Sequence, residues 1–459
     1  MAGIKFGTDG WRAITGEDFN ENNVSKATNA IAKYIYDTYG IDKKILIGYD
    51  PRNMADVFSR QCADILVNLG FNIFYSNKIV PTPVLAYSAK HLDACAIMFT
   101  ASHNPPEYLG LKYIPDYAGP ATSDITDKIT TNLGQNIKTV RTGTLTKYDF
   151  LPDYETHLEK LINFDKIRNL KNTNIILDGF YSASIGYFDK ILEKHGIKFE
   201  TMNMYHDKNF GGAMPDPKPK YLKDLIEKVK LTENAVGLAN DGDADRFGII
   251  NEKGEYVSPN EIIAILLMHL VKNKGYKGSL VKTVGASFLL DKVAEKLDIE
   301  VIETAVGFKH VGEAMRKFNP IIGGEESGGL SIQGHIPEKD GLLANALILE
   351  AMAYENKTLI ELQKDLYNFV GCRFYNDRID KKLETTAEIK TLVEKYKNIK
   401  HLGNYTVIKT DLKDGVKLYL DDNASWILVR PSGTEPLLRI YFESDSVEKI
   451  EEIEKLTLS

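Results

Sequence analysis

The chain has 459 residues, more than one hydrophobic core usually holds, and this length predicts several domains. Apolar residues make up 43% of the sequence and charged residues 26%, which excludes a disordered, collagenous or coiled-coil chain. The formal net charge of −7 argues against a general binder of nucleic acid or anionic membranes, so an anionic substrate would need a local cluster of cations.

The cysteines and the apolar stretches indicate the compartment. Cys62, Cys95 and Cys372 lie far apart, without the spacing of a disulfide framework or a zinc site, and a reducing compartment fits them best. The first residues contain no hydrophobic signal core, and the longest apolar stretch, 262–271, is about half as long as a membrane span. We expect a cytoplasmic protein in which 262–271 is a buried helix.

A strand–helix–strand pattern occurs three times along the chain. Its strands are predicted at 44–50 and 71–75, at 174–179 and 197–201, and at 279–284 and 299–303. The helical faces between them consist of Cys62, Ile65, Leu66 and Leu69, then Ile185, Phe188, Ile191 and Leu192, then Leu289, Val293 and Leu297. The pattern predicts three related α/β units in series.

The residues after 371 change in character. A helix is predicted over 385–397 and a final helix over 446–456. Between them, short strands separated by Asp-Gly and Asp-Asn turns are predicted at 405–409, 417–420, 426–429 and 438–443. This segment is typical of an α+β module. The predicted domains are therefore 1–150, 151–255, 256–370 and 371–459.

The sequence DGDADR at 241–246 places three carboxylates at alternate positions, separated by the two smallest residues. Two carboxylates about 4 Å apart repel by roughly 4 kcal/mol at an effective dielectric of 20, so three converge mainly around a hard divalent cation. An EF-hand has a similar spacing, but Arg246 replaces its turn glycine, and the flanks 235–239 and 247–251 favour strands over helices. We predict a turn between two strands that holds one Mg²⁺, with a solvated acidic turn as the alternative.

TASHNP at 100–105 follows an apolar strand predicted over 94–99. Ser102 and His103 therefore lie at the mouth of a strand, in a loop stiffened by proline. A serine becomes a nucleophile or a phosphoryl carrier when a base, a cation or a metal activates it, whereas most loop serines are turn or cap residues. The residues of this loop leave both interpretations open.

Two later loops suit a phosphate and a sugar. RPSGTEP at 430–436 combines a guanidinium, two hydroxyls and a glycine amide, which suits phosphate, although a tight β-turn uses the same residue types. GGEESGG and HIPEKDG, within 323–341, offer Glu325, Ser327 and Lys339 to sugar hydroxyls, although a flexible surface loop would look similar. The chain contains no P-loop motif and no dinucleotide fingerprint.

Together these segments resemble the α-D-phosphohexomutase family, most of all its phosphoglucomutases, over the whole chain. TASHNP resembles the family's phosphoserine loop, DGDADR its metal loop, GEESGG its sugar loop and RPSGTEP its phosphate loop, in the family's order. FGTDGWR at 6–12 resembles its opening motif, and GLKYI at 110–114 resembles a segment that carries a catalytic lysine. The resemblance implies three related α/β domains and a C-terminal α+β domain, similar to TATA-box-binding proteins, around a central active-site cleft.

The resemblance also implies a Mg²⁺-dependent isomerase that interconverts glucose 1-phosphate and glucose 6-phosphate. Phosphoserine at Ser102 would give its phosphoryl group to the substrate, form glucose 1,6-bisphosphate, and take the other phosphate back. By motif match, the implied catalytic residues are Arg12, Ser102, His103 and Lys112, and the implied Mg²⁺ ligands are Ser102, Asp241, Asp243 and Asp245. The implied substrate contacts are Arg246, Gly307, Glu325, Ser327, His335, Lys339, Arg430, Ser432, Gly433, Thr434 and Arg439.

Two departures from the family pattern concern the choice of sugar. Gly329 stands where some mannose-using relatives have His, whereas His335 matches the phosphoglucomutase arrangement. Val306 precedes Gly307 where some phosphoglucomutases have Thr. A phosphomannomutase, a phosphoglucosamine mutase or a bifunctional phosphohexomutase is therefore the alternative.

Two readings from other classes are more remote. They are a non-catalytic sugar-phosphate binder on the same fold and a Ca²⁺-dependent structural protein that uses the Asp loop. We expect small-molecule hexose phosphates as partners, without nucleic acid or membrane, in a monomer or a small homo-oligomer.

Overall fold

The computed structural model describes residues 3–7, 10–138, 141–383, 385–431 and 437–458. Within these residues the strands form four sheets, of six, five, four and six strands, in succession along the chain. Three related α/β units precede an antiparallel C-terminal unit, which confirms the predicted fold class. No helix in the described ranges is both long and apolar enough to cross a membrane.

The first unit contains a mixed sheet flanked by helices. Its strands are β1 (Trp11–Ile14), β2 (Lys44–Tyr49), β3 (Ile73–Ser76), β4 (Ala94–Phe99), β5 (Tyr108–Ile114) and β6 (Leu145–Tyr148). Its helices are α1 (Glu21–Tyr39), α2 (Ala55–Asn68), α3 (Thr82–His91) and α4 (Ser123–Thr131). The strand order is β1-β5-β4-β2-β3-β6. Helix α2 buries Cys62 and Leu66, which lie on the face that the sequence predicts.

The second unit repeats this plan with shorter elements. Its helices are α5 (Leu151–Leu161), α6 (Phe164–Arg168), α7 (Phe188–Lys194) and α8 (Lys223–Leu231). Its strands are β7 (Asn174–Asp178), β8 (Glu200–Met202), β9 (Ala235–Asn240), β10 (Phe247–Ile250) and β11 (Tyr256–Val257), in the order β11-β10-β9-β7-β8. Ile185 lies in turns before α7, because Gly186 has a φ of 81°, which an α-helix does not accommodate. The predicted helical face therefore begins three residues too early, at Ile185 and not at Phe188.

The third unit carries the long apolar helices. Its helices are α9 (Pro259–Lys272), α10 (Phe288–Lys296), α11 (Phe308–Phe318), α12 (Gly341–Glu355) and α13 (Leu359–Val370). Its strands are β12 (Leu280–Thr283), β13 (Val301–Thr304), β14 (Ile322–Glu325) and β15 (Gly329–Ile332), in the order β13-β12-β14-β15. Helix α9 starts with a capping box between Ser258 and Glu261, and most of its residues are buried, as predicted for 262–271.

The C-terminal unit is an antiparallel sheet with two helices. Its strands are β16 (Tyr375–Lys382), β17 (His401–Leu402), β18 (Tyr405–Asp411), β19 (Val416–Leu420), β20 (Trp426–Pro431) and β21 (Leu437–Ser444), in the order β16-β21-β20-β19-β18-β17. Its helices are α14 (Thr386–Asn398) and α15 (Val447–Leu458). Strand β16 is absent from the sequence prediction, because its sequence YNDRIDKK is mostly polar and has little apolar alternation.

The three α/β units place their distinctive loops at equivalent points. In each unit a central strand, β2, β7 or β12, has a parallel neighbour on both sides. One of those neighbours turns back into an antiparallel partner, giving the hairpins β4–β5, β9–β10 and β14–β15. The hairpin turns carry, in that order, residues 100–105 (the serine loop), residues 241–246 (the Asp loop) and residues 325–328 (the Glu-Ser loop). The three units therefore place three different sets of polar residues at one equivalent position of the fold.

The units share packing across their boundaries. One hydrophobic cluster runs through all three α/β units and includes Leu46, Tyr154, Phe247 and Leu347. The C-terminal unit contacts the third unit through a separate, smaller apolar cluster of Val284, Trp426, Leu428 and Tyr441. Buried Lys417 adds a polar contact there, since its Nζ donates to the carbonyl oxygen of Val284 at 2.6 Å. The loops of the first three units are therefore held against one another by a common core.

Candidate active site

Ser102 is fixed in an uncommon backbone conformation at the β4–β5 turn. Its φ is +51°, a left-handed value that costs a non-glycine residue about 1–3 kcal/mol and that occurs preferentially at functional sites. The Ser102 amide donates to Oγ1 of Thr100 at 2.8 Å, and its side chain is almost fully buried. Its Oγ lies 2.8 Å from Oδ2 of Asp241 and 3.3 Å from Nδ1 of His103. The serine hydroxyl thus points at the Asp loop of another unit.

The Asp loop is the tight turn between β9 and β10, as the sequence predicts. One carboxylate oxygen from each of Asp241, Asp243 and Asp245 lies within 4.8 Å of the others, and all three side chains are buried. Burial raises the pKa of Asp241 well above its ordinary value, and repulsion from Asp243 and Asp245 raises it further. Oδ1 of Asp243 is buried and has no hydrogen-bond partner among the described residues. Clustered, buried oxygen donors of this kind fit a hard divalent cation.

A threonine of the first unit holds the Asp loop in place through two hydrogen bonds. Thr82, at the first position of α3, donates from Oγ1 to Oδ2 of Asp243 at 2.6 Å. The Thr82 amide also donates to the Asp243 carbonyl oxygen at 2.9 Å. The two contacts fix both the backbone and the carboxylate of Asp243, so its other carboxylate oxygen, Oδ1, keeps a defined direction.

Two buried lysines alternate with two carboxylates beside the Asp loop. Nζ of Lys112 lies 3.0 Å from Oε2 of Glu338 and 4.0 Å from Oδ2 of Asp245. Nζ of Lys339 lies 2.9 Å from the same Asp245 oxygen and 3.6 Å from Oε1 of Glu338. All four side chains are at most 3% exposed. The lysine predicted from GLKYI and the one predicted from HIPEKDG therefore meet at one point, and Glu338, which the sequence analysis missed, joins them.

Arg12 lies beside the serine loop because of strand pairing. Strand β1 pairs antiparallel with β5 so that Arg12 is opposite Gly110. Gly110 and Lys112 share one face of β5, since residues two apart in a strand point the same way. Nη1 of Arg12 donates to Oδ1 of Asn104 at 2.8 Å. Arg12, Ser102 and Lys112 thus converge from three segments of the first unit.

The Glu-Ser loop abuts the Asp loop. Ser327 donates from Oγ to Oε1 of Glu325 at 2.6 Å, and the Phe247 amide donates to the Gly328 carbonyl oxygen at 3.2 Å. Burial acts to lower the pKa of Arg246, but Glu325 and two loop aspartates outweigh it and raise that pKa. Arg246 is therefore a half-buried cation that joins the two loops.

The C-terminal unit contributes a pair of arginines. Arg430 on β20 and Arg439 on β21 are directly opposite each other in the antiparallel register, so their side chains leave the same face. Two like charges at such positions destabilise a sheet unless an anion or an acidic group lies between or beside them. Arg430 pairs through Nε with Oδ2 of Asp414 at 2.7 Å, and that oxygen also accepts the Val306 amide at 2.9 Å.

The contacts of Asp414 bring Arg430 to the segment that contains Gly307. Gly307 has a φ of 115° and precedes α11. Ser432, Gly433 and Thr434 lie outside the described residues.

Comparison with known proteins accounts for all four units. Models described as phosphoglucomutase/phosphomannomutase alpha/beta/alpha domains I, II and III match residues 3–139, 152–254 and 258–369, and the model of the C-terminal domain matches residues 381–457. The chain belongs to the phosphoglucomutase/phosphomannomutase family. This confirms the resemblance to the α-D-phosphohexomutases and makes the protein a phosphohexomutase, an isomerase.

Individual relatives of this phosphohexomutase differ in the sugar that their names give. A phosphoglucosamine mutase of Methanocaldococcus jannaschii is 30% identical over 98% of this chain and 96% of its own. A phosphoglucomutase/phosphomannomutase of Thermococcus kodakarensis is 29% identical, with the same shares covered. Among solved structures, a Thermus thermophilus protein assigned as a phosphomannomutase has a TM-score of 0.88 at 29% identity over 100% of both chains. The phosphoglucomutase parafusin of Paramecium, in an open form, has a TM-score of 0.84 at 25% identity over 100% of this chain and 94% of its own.

His335 of the phosphohexomutase is a buried residue, four positions before Lys339 in the sequence. Its Nε2 is 2.9 Å from Oδ2 of Asp340, and its Nδ1 is 2.9 Å from Nε2 of His157 on α5. Tyr154 donates to the same Asp340 oxygen at 2.7 Å. The structure therefore occupies both ring nitrogens of His335 with protein groups, and its role as a substrate contact stays a prediction.

The contact between the two histidines predicts acid sensitivity. Burial, together with the nearby His335, lowers the pKa of His157 to about 3. Since the unfolded chain takes up this proton near pH 6.5 and the folded chain does not, the free energy of unfolding falls as the pH drops below about 6.5. Between pH 7 and pH 5, we expect the free energy of unfolding to fall by about 1 kcal/mol less in His157→Gln than in the wild type. Urea denaturation at the two pH values measures both changes.

The matched control for this prediction is His401→Gln, at an exposed position of the C-terminal unit. It should follow the wild-type pH dependence. An identical loss of stability in His157→Gln and the wild type would contradict the assignment to His157.

Proposed function

We propose that the protein transfers a phosphoryl group between the 1- and 6-oxygens of hexose phosphates through Ser102. The observation that carries this proposal is the 2.8 Å contact between the Ser102 hydroxyl and Asp241, inside a cluster of three buried carboxylates. A buried hydroxyl held in a left-handed turn against a cation-binding cluster has the geometry of a phosphoryl carrier.

The proposed reaction has two phosphoryl transfers. The phosphorus–oxygen bond of phosphoserine 102 breaks as the free hydroxyl of the sugar phosphate attacks, which gives a hexose 1,6-bisphosphate and free Ser102. The bisphosphate turns over in the cleft, and Ser102 takes the other phosphoryl group, so the phosphorylated enzyme is regenerated. Glucose 1,6-bisphosphate is the intermediate when glucose phosphate is the substrate.

The residues of the cleft have separate tasks in this scheme. Asp241, Asp243 and Asp245, with Ser102, would hold Mg²⁺, which when bound neutralises charge on the phosphoryl group. Arg12 and Lys112 stabilise the oxygens in transfer or exchange the proton of the attacking hydroxyl, and His103 orients the serine oxygen.

The remaining residues bind the substrate in this proposal. Arg430 and Arg439, with the 432–434 segment, grip the phosphate that does not react, and Gly307 and Arg246 line its approach. Glu325, Ser327 and Lys339 bind sugar hydroxyls. Because the reacting and the anchored phosphates exchange places, positioning contributes most of the rate enhancement.

The proposed substrate range follows from the sugar hydroxyls that the protein binds. Glu325 and Ser327 are proposed to bind the 3- and 4-hydroxyls, which have the same configuration in glucose, mannose and glucosamine. The relatives carry the names phosphoglucosamine mutase and phosphoglucomutase/phosphomannomutase, which favours the alternative over the glucose-specific enzyme first expected from the sequence. We therefore assign a phosphohexomutase that accepts more than one group at C2.

The deciding experiment compares kcat/KM for glucose 1-phosphate, mannose 1-phosphate and glucosamine 1-phosphate, each with Mg²⁺ and a trace of its 1,6-bisphosphate. We expect at least two of the three values to lie within about 30-fold, a small ratio for a site that does not bind the C2 group. A preference for glucose above about 1,000-fold would contradict the broad assignment. No turnover of any substrate, with no phosphate on Ser102 by intact mass, would support the non-catalytic binder instead.

Thr82 provides a test of the metal loop. Thr82→Val keeps the side-chain shape but removes the hydrogen bond to Asp243, so the carboxylate loses its fixed direction. We expect the Mg²⁺ concentration for half-maximal activity to rise about 10-fold, with the same rise in the dissociation constant measured by calorimetry. Thr28→Val, at a buried position of α1, is the control and should leave both values unchanged. Equal Mg²⁺ affinity in all three proteins would exclude this role for Thr82.

A further inference from the structure

A buried arginine outside every motif of the sequence analysis contacts the serine loop. Arg52 follows β2, and neither its side chain nor that of Asp50 is exposed. Its Nη1 donates to the carbonyl oxygens of Pro105 at 2.8 Å and Tyr108 at 2.9 Å. Its Nη2 donates to the carbonyl oxygens of Ser102 at 2.6 Å and Asn104 at 2.7 Å. One guanidinium therefore donates hydrogen bonds to four backbone carbonyl oxygens of a seven-residue segment.

The guanidinium itself is fixed from the other side. Its Nε lies 3.2 Å from Oδ2 of Asp50, and the Arg52 amide donates to Oδ1 of the same carboxylate at 3.0 Å. The ring of Phe210, from the second unit, lies 5.1 Å from the guanidinium carbon. A planar guanidinium has two donors on each terminal nitrogen and can therefore contact all four carbonyl oxygens as well as Asp50. A lysine ammonium group has only three donors and cannot.

We propose that Arg52 is a positioning residue for phosphoryl transfer, which holds the serine loop in its left-handed turn and aims Ser102 at the Asp loop. The inference rests on the proposed function of Ser102. The four terminal N–H groups are matched by the four carbonyl oxygens, and the side chain is buried, so Arg52 acts through the loop and not on the sugar. The strained φ of Ser102 needs such support, because surrounding contacts must hold a residue in this region.

The role predicts a particular kinetic signature. If Arg52 only aims Ser102, its loss slows both phosphoryl transfers but leaves the groups that bind the sugar and the distal phosphate in place. In Arg52→Lys we expect kcat to fall at least about 10-fold while KM changes less than about twofold. Asp50→Asn keeps an acceptor for the Arg52 amide but removes the opposing charge, and we expect a smaller fall in kcat in the same direction.

Hydrogen exchange measured by mass spectrometry gives a readout independent of activity. The amides of Ser102, Asn104 and Tyr108 all donate within the loop, to Thr100, Ala101 and Pro105. We expect the peptide that covers 100–110 to exchange faster in Arg52→Lys and Asp50→Asn than in the wild type, with the other peptides of the first unit unchanged.

Arg141→Lys is the matched control in the same unit. Arg141 also donates to two backbone carbonyl oxygens, those of Gly70 at 3.0 Å and Ile41 at 3.2 Å, and pairs with Asp42 at 2.8 Å. It should leave kcat and the exchange of 100–110 unchanged.

Two results would overturn the positioning role. They are a kcat within about twofold of the wild type in both Arg52→Lys and Asp50→Asn, or unchanged exchange of the 100–110 peptide. Wild-type turnover reports on the proposed function alone, and the exchange rates report on Arg52 for any choice of substrate.

Discussion

Ser102→Ala is expected to lower kcat by at least about 10⁴-fold, because it removes the oxygen that we propose carries the phosphoryl group between the two halves of the reaction. The neighbouring Thr100 already uses its Oγ1 to accept the Ser102 amide. The variant should also take up no phosphate from glucose 1,6-bisphosphate, as measured by intact mass. Its free energy of unfolding should change by less than about 1 kcal/mol, because one small hydroxyl is lost and the backbone contacts remain.

Ser88→Ala is the control for this change. Ser88 is buried in α3 of the same unit and donates to the carbonyl oxygen of Val84, one helical turn earlier. The control should keep wild-type turnover and wild-type phosphate uptake. Turnover by Ser102→Ala within about 10-fold of the wild type would contradict a phosphoserine intermediate at this position.

The loops that carry the chemistry could be predicted from the sequence because each is a run of unusual residue types. DGDADR can be recognised by its spacing alone, and the hairpin β9–β10 confirms the predicted turn between two strands. The strand before TASHNP was predicted at 94–99 and is observed as β4 (Ala94–Phe99). The equivalence of the three hairpin turns could not be predicted, because it depends on strand order, which local periodicity does not contain.

The residues that support these loops were missed for a physical reason. Arg52 binds backbone carbonyl oxygens, and Thr82 binds a carboxylate 161 positions away, so neither has a local pattern. Glu338 stands inside HIPEKDG between two residues that the sequence analysis named, yet its partner Lys112 comes from another unit. For Arg52, the sequence offers one signal, which is a polar residue shortly after an apolar strand. Thr82 and Glu338 offer no such signal.

The predicted domain limits and the predicted role of His335 also depend on contacts that a local sequence pattern does not contain. The domain limits predicted near 150, 256 and 371 stay predictions, since linkers have few contacts that would mark a boundary. The motif predicts His335 as a substrate contact, which stays a prediction, and in the structure His157 and Asp340 occupy its ring nitrogens. Sequence motifs therefore indicated which loops meet, whereas the direction of a single side chain within a loop depended on partners from distant segments.

Gly242→Ala is expected to separate the Asp loop from the serine loop and to lower kcat at least about 100-fold, because small displacements of reacting groups have large effects on rate. A Cβ at Gly242 would lie 2.7 Å from the Ser102 carbonyl oxygen and 3.3 Å from Pro215. The loop cannot easily retreat, since the Gly242 amide donates to Pro215 at 3.2 Å and its carbonyl oxygen accepts the Ala183 amide at 3.0 Å.

The same change at Gly186, where a Cβ would have nothing within 4 Å, is the control for Gly242→Ala. The φ of 81° at Gly186 makes an alanine there cost about 1 kcal/mol of stability, but kcat measured well below the melting temperature should stay within about twofold. Steady-state kinetics and thermal melts of the two variants separate the effects. If both lose activity only in proportion to stability, close contact between the two loops does not control the rate.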